Sequence, residues 1–259
     1  MTSLTDRWAA SMSFGGAAEN TVSTRLRALR RLERDRGDLL SLTRTDLLDW
    51  LAVYSHPSTR STMLSYVRVF YAWALDEGLL TESPAAKLGK VKVPNGVPRP
   101  ASHADVVRLL ASASPRTRMF ALLMLYAGLR CCEVAPARPS DVTWQGDSAW
   151  LDIPHSKGGH HQAVPLPAHV AREFEAFPEW RCTAQTVQRD VSKALKAVGS
   201  TATPHMLRHY YGTSALQATQ NLRKVQQMMR HASPATTARY TLVTSDELAQ
   251  AAEALPLIA

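Results

Sequence analysis

The chain has 259 residues, 45% of them hydrophobic, and a formal net charge of +8. That apolar share can fill one large core or two modest ones, and the cationic excess fits a polyanionic partner such as nucleic acid. No apolar run is long enough to cross a bilayer and the start lacks a basic stretch followed by an apolar one, so membrane and export classes are set aside and a cytoplasmic location is expected.

Residues 1–90 read as a bundle of four helices. A helix starting at Asn20 or Thr21 carries Val22, Leu26, Leu29 and Leu32 at helical spacing, with Arg25, Arg27, Arg30, Arg31, Arg34 and Arg36 on its other face. Thr43, with Asp46 three residues later, forms a capping-box pattern ahead of Leu47, Leu48 and Leu51. Ser58 or Thr59 opens a long helix with Met63, Val67, Phe70, Tyr71 and Ala74 on one side, ending near Gly78. Residues 91–101 read as a linker: the run Lys90 to Pro100 holds three prolines, one glycine and three cations. Proline favours an extended path there, and the charge suits a DNA backbone.

Residues 102–259 read as a second domain. Ser102 caps a helix from Ala104 to Ala113, and Arg118 to Leu129 is an apolar helix ending near Gly128. Arg130 and Glu133, three apart, are expected on one helical face. Trp144 to Ile153 and Ala163 to Leu166 read as strands of a small sheet, with Gly158 and Gly159 in the hairpin between them. Helices follow from Ala168, over Thr183 to Val198, Pro204 to Ala218 and Leu222 to Met229, and an amphipathic tail helix at about 244–255 is capped by Thr244 and Glu247. The fold class is mainly α with a small antiparallel β-sheet: a helical domain followed by an α+β domain. Cys131, Cys132 and Cys182 offer neither a disulfide framework nor metal-ligand spacing. His155, His160 and His161 lack acidic or cysteine partners, so no metal and no cofactor is expected.

Three segments carry chemistry: Ala127-Gly128-Leu129-Arg130-Cys131-Cys132-Glu133, then Thr203-Pro204-His205-Met206-Leu207-Arg208-His209, then His231 with Tyr240 nine positions on. They supply two arginines, two histidines and a late tyrosine, a set suited to attack on a phosphodiester. Two arginines can neutralise the non-bridging oxygens as rigid forks, and phosphoryl transfer depends mostly on such positioning and charge. In that order and at those spacings the residues resemble the catalytic core of the tyrosine recombinases, the phage integrase family. The stretch Ser58-Thr59-Arg60 through Tyr71 to Glu82-Ser83-Pro84-Ala85 resembles the helical, SAM-like core-binding domain that precedes that core, and no arm-binding domain is expected ahead of it.

The resemblance implies roles. Tyr240 is the nucleophile, His205 the base, His231 a phosphate donor, and Arg130 with Arg208 the phosphate clamp. Lys157, in Ser156-Lys157-Gly158-Gly159, is the only lysine from Val93 to Ser192 and matches the hairpin acid that protonates the leaving 5′-oxygen. Glu133 matches an acidic residue that orients the pocket. Tyr210 and Tyr211 are rival nucleophiles by type, but they fall where the family has apolar residues, and Tyr126 lies in the apolar run. Thr59, Arg60, Lys92, Arg99 and Arg230 are the expected DNA contacts. Two departures stand out: Arg230 occupies a position that is glycine in many relatives, and His160, His161 and Gln162 replace residues that are often basic.

The implied function is site-specific recombination of double-stranded DNA core sites through a 3′-phosphotyrosyl intermediate and a Holliday junction. A homo-tetramer is expected on synapsed DNA and a monomer in solution, with the tail helix exchanged between protomers. Phage integration is the leading reading. The alternatives are Xer-like chromosome or plasmid resolution, a type IB topoisomerase, and a non-catalytic DNA-binding regulator.

Overall fold

The computed structural model describes residues 3–94, 99–153 and 162–230. The chain divides into two compact units, Met1–Gly96 and Val97–Ala259.

In the first unit the described residues form four α-helices, α1 (Leu4–Phe14), α2 (Glu19–Arg36), α3 (Arg44–Ala52) and α4 (Pro57–Asp76). Their starts are set locally. Ser3 Oγ accepts the Asp6 amide at the head of α1. At α3 the Thr43 amide donates to the Asp46 carboxylate (2.8 Å) and the Asp46 amide to Thr43 Oγ1 (3.3 Å), the reciprocal box read from the sequence. Pro57 lies in the first turn of α4, where its missing N–H leaves no bond unmade. The core gathers Trp8, Leu29, Leu32, Leu47, Trp50, Phe70 and Tyr71, each such side chain contributing about 1.5–3 kcal/mol when fully buried. The buried Tyr71 hydroxyl donates to the Leu39 carbonyl at 2.7 Å, so it carries no unmet polar group inside. Leu48 is 44% exposed. A 3.6-residue period puts Leu47, Trp50 and Leu51 on one face and turns position 48 away. Several arginines on the outer face of α2 are paired within the unit: Arg30 with Asp6 (2.8 Å), and Arg31 and Arg34 with Asp35 (3.5 Å each).

The second unit is built around α6 (Pro115–Tyr126), whose residues Met119 to Leu125 are all buried. A helix apolar on every side must be enclosed, and α5 (His103–Ser112), α8 (Ala168–Glu175), α9 (Ala184–Ala197) and α10 (Pro204–Thr219) pack around it. The cap at Ser102 is present, its Oγ accepting the Asp105 amide at 3.1 Å. Between α6 and α8 lie a single turn, α7 (Cys131–Val134), and three antiparallel strands in the order β1 (Val142–Gln145), β2 (Ser148–Ile153) and β3 (Gln162–Leu166). Pro165 is tolerated in β3 because, among the described strands, β3 pairs with β2 alone and so forms an edge. The final described helix is α11 (Leu222–Met228).

Two sequence expectations are corrected here. The stretch from Trp144 to Ile153 is two strands, not one: Gln145 pairs with Ser148 across a two-residue turn, with Gly146 at φ 59°. Glycine at the first turn position accepts that positive φ and lets the strands keep their right-handed twist. The other concerns α6, which ends at Tyr126, so Arg130 and Glu133 do not share a helical face. Arg130 is instead the extended cap residue of α7 (φ −82°, ψ 159°). The expected tail helix lies outside the described residues.

Candidate active site

Three short pieces of the second unit meet at the buried carboxylate of Glu133: its own turn with Arg130, α10 with Arg208, and the segment carrying Arg230. As the third residue of α7, Glu133 accepts the Arg130 amide at Oε2 (2.8 Å) and Arg130 Nη1 at Oε1 (2.8 Å), so one carboxylate caps the helix and holds the arginine head. The i,i+3 spacing that suggested a helical face works here as a cap. Oε2 also accepts Arg230 Nη2 at 2.8 Å, and Arg208 Nη1 stands 3.9 Å away. Three guanidiniums thus share one carboxylate, a formal excess of two positive charges.

Accessibility separates the three. The Arg130 side chain is 28% exposed, against 2% for Arg208 and 4% for Arg230, with Glu133 at 1%. Arg130 is therefore the one able to meet a large substrate without rearrangement. Arg208, from α10, is held by backbone: Nη1 donates to the Gly128 carbonyl and Nη2 to the Met229 carbonyl. Burial alone would raise the Glu133 carboxyl; Arg230, the Arg130 amide, and the charges of Arg130 and Arg208 outweigh it and hold its pKa below the ordinary value.

Gly128 makes this possible in two ways. Its φ is 60°, and a Cβ there would stand 2.5 Å from Tyr211 Cδ1 and 2.7 Å from Cε1. Tyr211 is buried, so its ring must shift to admit the added atom. Gly128→Ala is expected to destabilise the chain by about 2–4 kcal/mol, combining left-handed strain with overpacking, and to displace the carbonyl that holds Arg208. Chemical denaturation of the full chain checks this; a loss under about 0.5 kcal/mol contradicts it.

His205 and His209 sit one turn apart on α10, ring centroids 4.5 Å apart and edge to face. Withdrawal from water, then the charges of Arg208 and Arg130, lower the His205 pKa, which keeps it a neutral proton acceptor near neutral pH. The same burial, with His205 and Arg208 beside it, pushes His209 down to about 4 from 6.5. The unfolded chain binds a proton that the folded chain refuses, so His209 leaves stability intact above about pH 6.5 and lowers it as pH falls toward about 4. Melting temperatures should decline across that window and less steeply in His209→Gln; identical slopes contradict the assignment.

Of the residues singled out from sequence, the fold brings together Arg130, Glu133, His205, Arg208 and Arg230. Lys157, His231 and Tyr240 lie outside the described residues. The Arg230 guanidinium, expected on a DNA backbone, points inward onto Glu133. Thr59 is exposed in the first turn of α4, while Arg60 uses Nε and Nη2 on the Tyr54 carbonyl (3.0 and 2.7 Å) to close the α3–α4 loop. Lys92 and Arg99 are exposed. Of the rival tyrosines, the Tyr210 hydroxyl is 2.8 Å from His103 Nδ1 and Tyr126 packs edge-on to His169, while burial raises the Tyr211 phenol and disfavours its phenolate. Sequence reading missed His209 and the carbonyls of Ala127, Gly128 and Met229. The i,i+4 spacing of the two histidines was the available signal for the first.

The family model described as the phage integrase family matches residues 101–247, a span containing every residue of this cluster. The chain belongs to the phage integrase family. Among its relatives, Tyrosine recombinase XerA of Thermococcus kodakarensis is 32% identical over 222 residues, covering 78% of this chain and 77% of XerA. The fold of this integrase-family chain is that of lambda integrase in a dimer bound to a COC′ core site, with a TM-score of 0.76, 18% identity, and 93% and 94% of the two chains covered. A lambda integrase tetramer bound to a Holliday junction gives a TM-score of 0.75 at 17% identity, over 92% of this chain and 76% of that one. The mostly helical architecture with a small antiparallel sheet, read from the sequence, is thus the family fold. Among the described residues no helix is long and apolar enough to cross a membrane.

Proposed function

We propose that this integrase-family chain is a site-specific recombinase that cleaves and rejoins double-stranded DNA through a 3′-phosphotyrosyl intermediate. The observation that carries this is the cluster of three guanidiniums on one buried carboxylate, with neutral His205 at its edge: a positive, preorganised cradle for a phosphodiester. Arg130 donates to a non-bridging oxygen, the buried Arg208 adds its charge from just behind it, and the excess of two charges matches the negative charge that gathers on the equatorial oxygens. Tyr240 attacks, its proton passing to His205, whose lowered pKa leaves it unprotonated at neutral pH. His231 donates to the phosphate, and Lys157 protonates the departing 5′-oxygen. Attack by the 5′-hydroxyl of a partner strand reverses the step, so phosphodiester energy is retained and no nucleotide hydrolysis is needed.

Residues 1–90 serve as the core-binding domain, 91–101 as a linker crossing the DNA backbone, and 102–259 as the catalytic domain. Thr59, Arg60, Lys92 and Arg99 contribute backbone contacts. Four protomers act on two core sites through a Holliday junction, with the helix at about 244–255 exchanged between neighbours, and the protein is monomeric in the cytoplasm until it meets DNA. Phage-type integration is the reading preferred.

The test uses a core site selected by binding from a randomised duplex pool and then nicked beside the cleavage point. An SDS-stable adduct with a blocked 3′ end and a free 5′-hydroxyl, formed in the presence of chelator, is the expected product. Binding without any adduct would favour a regulator instead. On the same substrate Lys157→Ala should bind normally and cleave about 10²–10⁴ times more slowly. A 5′-bridging phosphorothiolate, whose leaving thiolate needs no acid, should restore the rate. Cleavage at the wild-type rate in Lys157→Ala contradicts its role.

A further inference from the structure

Arg230 occupies a backbone conformation that side chains rarely adopt. Its φ is 54°, in the left-handed region, which costs a non-glycine residue roughly 1–2 kcal/mol. The arginine here therefore persists against local strain. Its head is not spent on the surface. Nη2 holds Glu133 Oε2 at 2.8 Å, Nη1 reaches the Ala127 carbonyl at 3.3 Å, and Nε is buried with no hydrogen-bond partner. An arginine built to meet DNA would keep its head in water, as Arg130 does more nearly.

We propose that Arg230 is a positioning residue for strand cleavage, acting through Glu133 on Arg130 and Arg208. The carboxylate has two oxygens and three guanidinium neighbours. Arg130 takes Oε1, and Arg230 shares Oε2 with the Arg130 amide. Arg208 is left at 3.9 Å, a distance at which it feels the charge but makes no hydrogen bond, and it donates to the Gly128 and Met229 carbonyls instead. Remove Arg230, and Oε2 becomes available to Arg208 Nη1. Arg208 then rotates off its carbonyls onto the carboxylate, which both misaligns one arm of the phosphate clamp and neutralises it. Arg230 therefore occupies Glu133 so that Arg208 does not.

The proposal rests on the reading of the chain as a cleaving recombinase, and its test has one arm that does not need activity. In a crystal structure of Arg230→Gly without DNA, Arg208 Nη1 should close to hydrogen-bond distance from Glu133; an unmoved Arg208 overturns the proposal. Glycine relieves the backbone strain, so this variant is expected to fold. In single-turnover cleavage of the nicked core site, Arg230→Gly should be about 10–100 times slower with DNA affinity unchanged, the scale of a misplaced catalytic group. Arg230→Lys should recover part of the rate, since an ammonium can hold Oε2 but not the Ala127 carbonyl as well. In a Glu133→Gln background the same substitution should add little, because its route of action is already lost. A loss that falls wholly on DNA affinity, or one of equal size in both backgrounds, overturns it. Wild-type protein that binds the site and forms no adduct would instead sink the functional reading, leaving the crystallographic arm to judge Arg230.

Discussion

Glu133→Ala is expected to remove about 3–5 kcal/mol of folding stability, the scale for stripping one partner from a buried ion pair. Among the described residues the carboxylate is the only anion in this cluster, and it faces three guanidiniums, two of them almost wholly out of water. Without it Arg208 and Arg230 repel each other across a site that water barely enters, and the α7 cap at the Arg130 amide is lost as well. Glu133→Gln keeps the shape and one acceptor but not the charge, so its loss should be smaller yet still above about 1 kcal/mol. Both variants should cleave DNA far more slowly than wild type even where they remain folded, since Arg130 loses the contact that fixes its head. Urea denaturation of the full chain, paired with single-turnover cleavage, measures the two effects. A Glu133→Ala protein as stable as wild type would mean that the cluster is not assembled as described.

Arg208→Lys carries the second large effect. The guanidinium spans two carbonyls contributed by separate loops, those of Gly128 and Met229, while staying within 3.9 Å of Glu133. One ammonium on a flexible stem cannot hold both carbonyls at once, so the positive charge is no longer fixed behind the phosphate site. Cleavage should fall by about 10²–10³-fold, the scale for losing one preorganised donor at a developing charge. Stability should drop by about 1–3 kcal/mol for the orphaned carbonyl. DNA affinity should change little, because a buried side chain contributes little to the electrostatic approach of a long polyanion. A lysine variant within tenfold of the wild-type cleavage rate would show that Arg208 is structural only.

What was readable in advance follows a physical pattern. Residues whose chemistry is carried by type and order, such as His205 and Arg208 one turn apart, could be found because an α-helix fixes their relation. The Thr43–Asp46 cap and the all-apolar run of α6 were legible for the same reason: each is a local rule with one structural solution. Positions where one spacing serves two geometries were not. Three residues from Arg130 to Glu133 fit a helical face and a cap equally well, and only the end of α6 at Tyr126 decides between them. The turn inside Trp144 to Ile153 did leave a signal, four non-apolar residues from Gln145 to Ser148 around a Gly146-Asp147 pair, and reading the stretch as one strand passed over it. The direction of Arg230 depends on a positive φ that no side-chain pattern encodes. Backbone carbonyls as partners of Arg208 are equally silent in sequence, because every residue has one.

The most direct test of the chemistry is to identify the residue that becomes bonded to DNA. The adduct formed on the nicked core site is digested with protease and nuclease, and the peptide that retains a nucleotide is sequenced by mass spectrometry. The modification is predicted on Tyr240 alone, as a 3′-phosphotyrosyl linkage, with no adduct from Tyr240→Phe. A nucleotide carried by Tyr126, Tyr210 or Tyr211, or an undiminished adduct in Tyr240→Phe, would contradict it.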